Sequence, residues 1–183
     1  KAMNLARPWH QFHIRNLATI VIGAFAAFGP SASAQLIGLP GQDRTIPIEI
    51  NAEDGIEWRQ RDKIYVARGK ARATQGKVTV HADVLTAHYR EMPSGSTEIW
   101  RIDANGNVRI AAPNQTSHGD NAVYDVVKGL LVLTGKVRLV TETDQISARD
   151  SLEYWEKRSL AVARGEAIAV RGDRRLAADV LVG

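Results

Sequence analysis

The chain has 183 residues, 24 Lys and Arg against 20 Asp and Glu, and no cysteine. Its basic excess comes from the first 34 residues, which hold Lys1, Arg7 and Arg15 and no acid; setting those three aside leaves 21 cations against 20 anions. With neither a basic run nor aromatics interleaved with Lys and Arg, no nucleic-acid partner is expected, and the missing cysteines exclude a disulfide-stapled domain.

The first segment reads as a targeting signal and not as part of a fold. A basic leader is followed by the apolar stretch Leu17 to Phe28, then Gly29-Pro30 and the small-residue run Ser31-Ala32-Ser33-Ala34. That order is the signature of a cleavable secretory signal, with cleavage expected after Ala34. The apolar stretch is shorter than the about 20 residues needed to span a bilayer, which argues against an uncleaved anchor. Residues 35–183 are then expected to form one exported domain with its core at about 45–182. A cysteine-free exported domain fits a Gram-negative periplasm.

From Thr45 to the end the pattern has a period of two. Ile48/Ile50, Ile64/Val66, Val78/Val80, Val108/Ile110, Leu130/Val132, Leu160/Val162 and Ile168/Val170 all alternate over short runs bounded by Gly, Asn, Asp or Lys. These runs recur in four units. Each opens on a strand ending in a small residue beside an acid or another polar group: Ile50-Asn51-Ala52-Glu53, Val80-His81-Ala82-Asp83, Ser117-His118-Gly119-Asp120 and Ile146-Ser147-Ala148-Arg149. A fifth begins at Leu176-Ala177-Ala178-Asp179. Each unit closes on a glycine: Gly69, Gly106, Gly135 or Gly165. The second unit is longer and contains Glu91-Met92-Pro93-Ser94-Gly95-Ser96, read as a loop insertion. About sixteen short antiparallel strands follow from this spacing, arranged as a sandwich, a jelly roll or a stacked β-solenoid.

No paired nucleophile and base, phosphate loop or H-E-x-x-H run occurs, so no enzyme and no cofactor is expected. His81 with Asp83 and His118 with Asp120 share a spacing that places both side chains on one strand face. The other units put Asn51/Glu53, Ser147/Arg149 and Ala177/Asp179 at those places, so the pairs read as interchangeable strand-end polar residues and no metal is expected. Trp58, Tyr89, Trp100, Tyr124, Tyr154 and Trp155 read as core or groove lining, with a carbohydrate platform as the competing reading. Alanines such as Ala73, Ala87 and Ala163 fit either a tight sandwich or two sheets splayed around an apolar groove.

The stretch Ala73-Thr74-Gln75-Gly76-Lys77-Val78-Thr79-Val80-His81-Ala82-Asp83, with Pro47-Ile48-Glu49-Ile50, Tyr124-Asp125 and Leu131-Val132-Leu133-Thr134-Gly135, resembles the LptA/OstA family of periplasmic lipopolysaccharide-transport proteins. The likeness runs from Pro47 to Val170. It implies an open, twisted β-jelly roll that holds lipopolysaccharide acyl chains and joins its neighbours edge to edge. By matching positions it implies lipid contact at Ile48, Ile50, Ile110, Tyr124 and Val126. Edge pairing is expected at Thr45, Ile46 and Ile48 on one side and at Ile168, Val170, Leu176 and Val180 on the other. The implied partners are lipopolysaccharide, the inner-membrane lipopolysaccharide ABC-transporter complex with its jelly-roll subunit, the outer-membrane translocon, and further copies of the chain. A glycan-binding β-solenoid and a membrane-anchored component of the same pathway are the alternatives.

Overall fold

Alternating apolar runs divided by Gly and Asn give the backbone no helical stripe to bury, and strands result. The computed structural model describes residues 46–183. The leader and Thr45 lie outside the described residues. The strands are β1 (Glu49–Asn51), β2 (Gly55–Arg59), β3 (Ile64–Gln75), β4 (Val78–Glu91), β5 (Thr97–Ala112), β6 (Gln115–Asp125), β7 (Leu130–Thr134), β8 (Val137–Thr141), β9 (Asp144–Ala148), β10 (Ser151–Trp155), β11 (Leu160–Arg171) and β12 (Arg174–Val182). A single 3-10 turn at Glu156–Arg158 links β10 to β11. All pairings are antiparallel and join the described strands into one twelve-stranded sheet.

The expected count of about sixteen strands is corrected to twelve, and the reason is physical. Several glycines read as turns in the sequence lie inside continuous strands. At Gly69-Lys70, Gly106-Asn107, Gly135-Lys136 and Gly165-Glu166 two successive residues have positive φ, 75° and 43° in the first pair and 77° and 48° in the third. In β3, β5 and β11 this pair falls where the register shifts, between Arg68 and Ala71, between Asn105 and Val108, and between Arg164 and Ala167. A left-handed pair inserted into a ladder bends the strand without ending it. The second-unit insertion is the loop it reads as, a turn at residues 92–96 closed by Met92 N–H on the Ser96 carbonyl at 2.8 Å, and the strands it joins are long: β4 has 14 residues and β5 has 16.

The bends line up across the sheet and fold it over. One half-sheet contains β2, residues 64–68, 84–91, 97–105 and 121–125, then β7, β10, 160–164 and 180–182. The other contains β1, residues 71–75, 78–82, 108–112 and 115–119, then β8, β9, 167–171 and 174–178. Residues directly opposite in an antiparallel pair share a face. The inward row of the β2 half therefore reads Ala67, Leu85, Ala104, Ala122, Leu133, Leu152 and Ala163 across the strands. In the β1 half it reads Ile50, Ala73, Val80, Ile110, Ser117, Leu139 and Ile146. Both rows belong to one apolar cluster, in which Leu85, Leu133, Leu139 and Leu152 are completely buried, apart from the polar Ser117.

The corner is held by an acid as well as by glycine. A Cβ at Gly69, Gly106, Gly135 or Gly165 would overlap the carboxyl group of Asp54, Asp83, Asp120 or Asp150, of which Asp83 and Asp120 lie on β4 and β6, and Asp54 and Asp150 in the β1–β2 and β9–β10 connections. In the first and fourth units the capping acid is thus Asp54 and Asp150, one residue beyond the Glu53 and Arg149 picked out by the sequence pattern. Backbone bonds fasten the same place, with Asp120 N–H donating to the Gly135 carbonyl at 3.1 Å and Asp150 N–H to the Arg164 carbonyl at 3.1 Å. A second anchor lies at the far strand ends, where Asp144 accepts two hydrogen bonds from Arg171, the one from Nη2 at 2.8 Å.

Two stability predictions follow from these anchors. Gly135→Ala is expected to destabilise by about 2–3 kcal/mol, combining left-handed strain with overlap on Asp120. The loss should shrink when the same change is made in an Asp120→Gly background, as read from denaturant midpoints. At Asp144 the hydrogen bonds from Arg171 hold the carboxyl below its ordinary value. Its contribution is complete above the unfolded aspartate value of about 3.9 and disappears as pH falls through the lower folded value. Asp144→Asn should cost about 1–2 kcal/mol at pH 7 and much less near pH 2, which thermal melts at the two pH values would reveal.

Candidate functional site: an apolar cavity between the half-sheets

Inward-facing alanines set the spacing of the site. Large side chains interdigitate and close a sandwich, whereas facing alanines leave space. Ala73 on β3, Ala104 on β5 and Ala122 on β6 stand beside a narrow cavity of about 50 Å³ that is partly open to solvent. Ile48, Val78, Val80 and Ile110 line it from the β1 half, and Ile102, Tyr124 and Leu131 from the β2 half. Thr74 and Gln75 carry the lining to the β3–β4 turn, so the cavity reaches the strand ends.

Polar chemistry is confined to the rim. The Tyr124 hydroxyl donates to Glu156 Oε1 at 3.1 Å while its ring lines the cavity. Burial and then Glu156 push the Tyr154 hydroxyl upward from its ordinary value, which keeps that core residue neutral. Among the described residues no buried side-chain polar atom lacks a hydrogen-bond partner, and no group of three or more His, Cys, Asp or Glu could hold a metal ion. Nor is any helix among them long and apolar enough to cross a membrane.

Of the residues expected to contact lipid, Ile48, Ile110 and Tyr124 are brought together on the cavity wall. Ile50 lies in the inward row opposite Ala73 and packs on the core beside the cavity. Val126 lies past the end of β6, half-buried, with its N–H bonded to the Trp100 carbonyl at 3.0 Å, and is outside the cavity lining. Sequence reading missed Ile102, Ala104, Ala122 and Leu131. Their signal was the pairing of small with large residues on facing strands, which becomes visible only once register is known.

The edge assignment divides in the same way. Leu176 and Val180 lie on β12, which among the described residues pairs only with β11. Ile168 and Val170 are corrected: both lie on β11, where β9 and β12 already flank them, so their backbone offers no free edge. At the opposite end β1 and β2 pair, among the described residues, only with β3. Ile46 is 40% exposed there, and its carbonyl accepts from Gln75 Nε2 at 2.9 Å. The aromatics mostly point inward or lie at rims: Tyr89 and Tyr154 are buried, and the exposed Trp58 is pinned by an Nε1 hydrogen bond to the Tyr89 hydroxyl at 2.8 Å.

The described residues thus form a single antiparallel sheet folded over an aliphatic cavity, an all-β fold with strands at both ends of the sheet paired on one side. The chain belongs to the family described as LptA/(LptD N-terminal domain) LPS transport protein, whose sequence model matches residues 49–150. Members of this family act in lipopolysaccharide transport and are not enzymes. The fold is similar to the crystal structure of LptH, described as the LptA-homologous periplasmic component of the lipopolysaccharide transport device from Pseudomonas aeruginosa. That match has a TM-score of 0.58 and 18% identity, covering 75% of this chain and 97% of the other. A protein of Rhizobium meliloti (strain 1021), itself uncharacterized, is 26% identical over 124 residues, a match spanning 65% of each chain.

Proposed function

We propose that this chain carries the acyl chains of lipopolysaccharide in the cavity between its half-sheets and passes the lipid across the periplasm along sheets joined edge to edge. The open apolar cavity carries this reading: apart from Thr74, Gln75 and Tyr124 its walls are Ala, Val, Ile and Leu. Exposing a methylene to water costs about 0.8 kcal/mol, so a tail of about ten methylenes would cost roughly 8 kcal/mol to release. Sliding between adjoining grooves avoids that barrier. The free edges, β1 with β2 at one end and β12 at the other, are suited to strand addition, and Val180 and Val182 on β12 are 43% and 50% exposed.

In this reading residues 1–34 are a cleaved signal and 35–183 the working domain in the periplasm. The chain has no phosphate-binding loop, so direction comes from the inner-membrane ABC-transporter complex, whose jelly-roll subunit meets one edge. The outer-membrane translocon meets the other edge, with further copies of the chain in between. Ile48, Ile110 and Tyr124 contact acyl chains, with Ile50 beside them.

Two experiments test this. A photo-crosslinker at Ile48 or Tyr124 should capture lipopolysaccharide, and one at the outward-facing Arg101 should not. Ile48→Asp should reduce capture at Tyr124 about tenfold with the β circular-dichroism spectrum retained, an effect of the size expected for a charge placed in an apolar site. Equal capture by the outward position sinks the site. For the edges, the absence of native cysteine gives a clean background. Val180→Cys mixed with Ile46→Cys should form an intermolecular disulfide, and Ile168→Cys mixed with Ile46→Cys should not.

A further inference from the structure

The outward faces of the two half-sheets treat their charges differently. On the β2 half, arginines stand beside acids: Arg101 with Asp103 at 2.8 Å, Arg90 with Glu98 at 2.7 Å and Arg164 with Glu153 at 3.2 Å. On the β1 half the registers place Arg72, His81, Arg109, His118 and Arg138 directly opposite one another on five successive strands. Among the described residues Arg72, Arg109 and Arg138 form no ion pair, and Arg138 donates only to the Gln145 amide oxygen, at 3.1 Å. In the adjoining outward row Thr74, Thr79, Ala111, Thr116 and Val140 carry no charge, and the row's carboxylate, the exposed Glu49 opposite Thr74 on β1, forms no ion pair with the stripe. Each arginine is separated from the next by one histidine-bearing strand, so the guanidinium groups recur every second strand, about 10 Å apart. The fold therefore holds a cationic stripe that it neutralises nowhere, although it neutralises the equivalent arginines on its other face.

Direction and position identify what the stripe faces. It runs across the strands for roughly 19 Å, four interstrand steps, parallel to the axis along which the half-sheets extend from one free edge to the other. It begins at Arg72 and His81, three residues back from Gln75 and Val78, which line the cavity where it reaches the β3–β4 turn. Three residues of strand are about 10 Å. A lipid whose tails occupy the cavity has its head group at that turn, within reach of the outer face. Lipopolysaccharide bears phosphates and acidic sugars beside its acyl chains, groups that arginine engages through paired, charge-assisted hydrogen bonds.

We propose that the Arg72–His81–Arg109–His118–Arg138 stripe is a second binding site for the same cargo, an electrostatic track for the anionic head group while the acyl chains move through the cavity. This rests on the carrier reading above. The repeated spacing lets a phosphate move from one arginine to the next without losing its counter-charge. Burial, then Arg109 and Arg72, hold His81 below the ordinary histidine value, consistent with a site whose cations lack counter-ions. Asp83, the acid on its own strand face, instead accepts from Asn107 Nδ2 at 2.8 Å.

The test titrates the full chain, and its Arg72→Gln/Arg109→Gln/Arg138→Gln variant, with lipopolysaccharide, with the same lipid enzymatically dephosphorylated, and with phosphatidylglycerol vesicles. The variant should bind phosphorylated lipid about tenfold more weakly and with a flatter salt dependence, yet bind the dephosphorylated lipid as the native chain does. The Arg→Lys triple variant should keep most of the affinity, which separates charge from packing. Unchanged affinity for phosphorylated lipid overturns the track, as does an equal loss for both lipids. Stripe-dependent binding to the vesicles without a phosphate effect on lipid affinity overturns it in favour of membrane docking. If the native chain binds neither lipid, the carrier reading itself fails, and the track falls with it.

Discussion

The whole structure depends on where a strand is allowed to turn left. An L-residue resists the left-handed region, and glycine enters it freely. A glycine followed by one tolerant residue is therefore the least strained way to bend a strand sharply without breaking its ladder. Here the bend recurs at four glycines, each closed over by an aspartate from earlier in the chain. The aspartates leave no room for a Cβ, so the same contact that fastens the corner also forbids replacing the glycine. Because the bends align, one sheet becomes two walls, and the interior they enclose follows from that geometry and not from a separate pocket-forming loop.

Within the walls, side-chain volume decides which regions are core and which are cavity. Leu85, Leu133, Leu139 and Leu152 fill the space near the corner completely. In the same rows Ala104 and Ala122 stand between Leu85 and Leu133, and Ala73 is level with Leu139; beside these small residues lies the cavity. The alternation of leucine and alanine along an inward row thus sets where the walls meet and where space is left.

Much of this was legible in the residues, and the misses have clear causes. Period-two alternation gave the all-β class, and the glycines and small-plus-acid steps located the corners to within a residue. The strand count failed because glycine serves both true turns, such as Gly76 and Gly172, and mid-strand bends, such as Gly106; composition does not distinguish the two. Ile168 and Val170 looked like an edge because they alternate near the end of the chain, but the last nine strand residues fold back and cover them. Ile48, Ile110 and Tyr124 were identified through a family likeness. Ala104 and Ala122 needed the cross-strand register, which no single strand carries.

The edge strands have a mechanical consequence. A sheet anchored at its two free edges is stretched along its hydrogen bonds, with the ladders arranged in series, so every one of them carries the full load. Within each ladder the bonds share that load in parallel, and the shortest ladder yields first. The β1–β3 ladder pairs three residues and the β2–β3 ladder five, while β3 and β4 are registered over ten. Under tension the first strands would peel while the walls around the cavity stayed zipped, giving a link that fails at its end and keeps its contents sheltered.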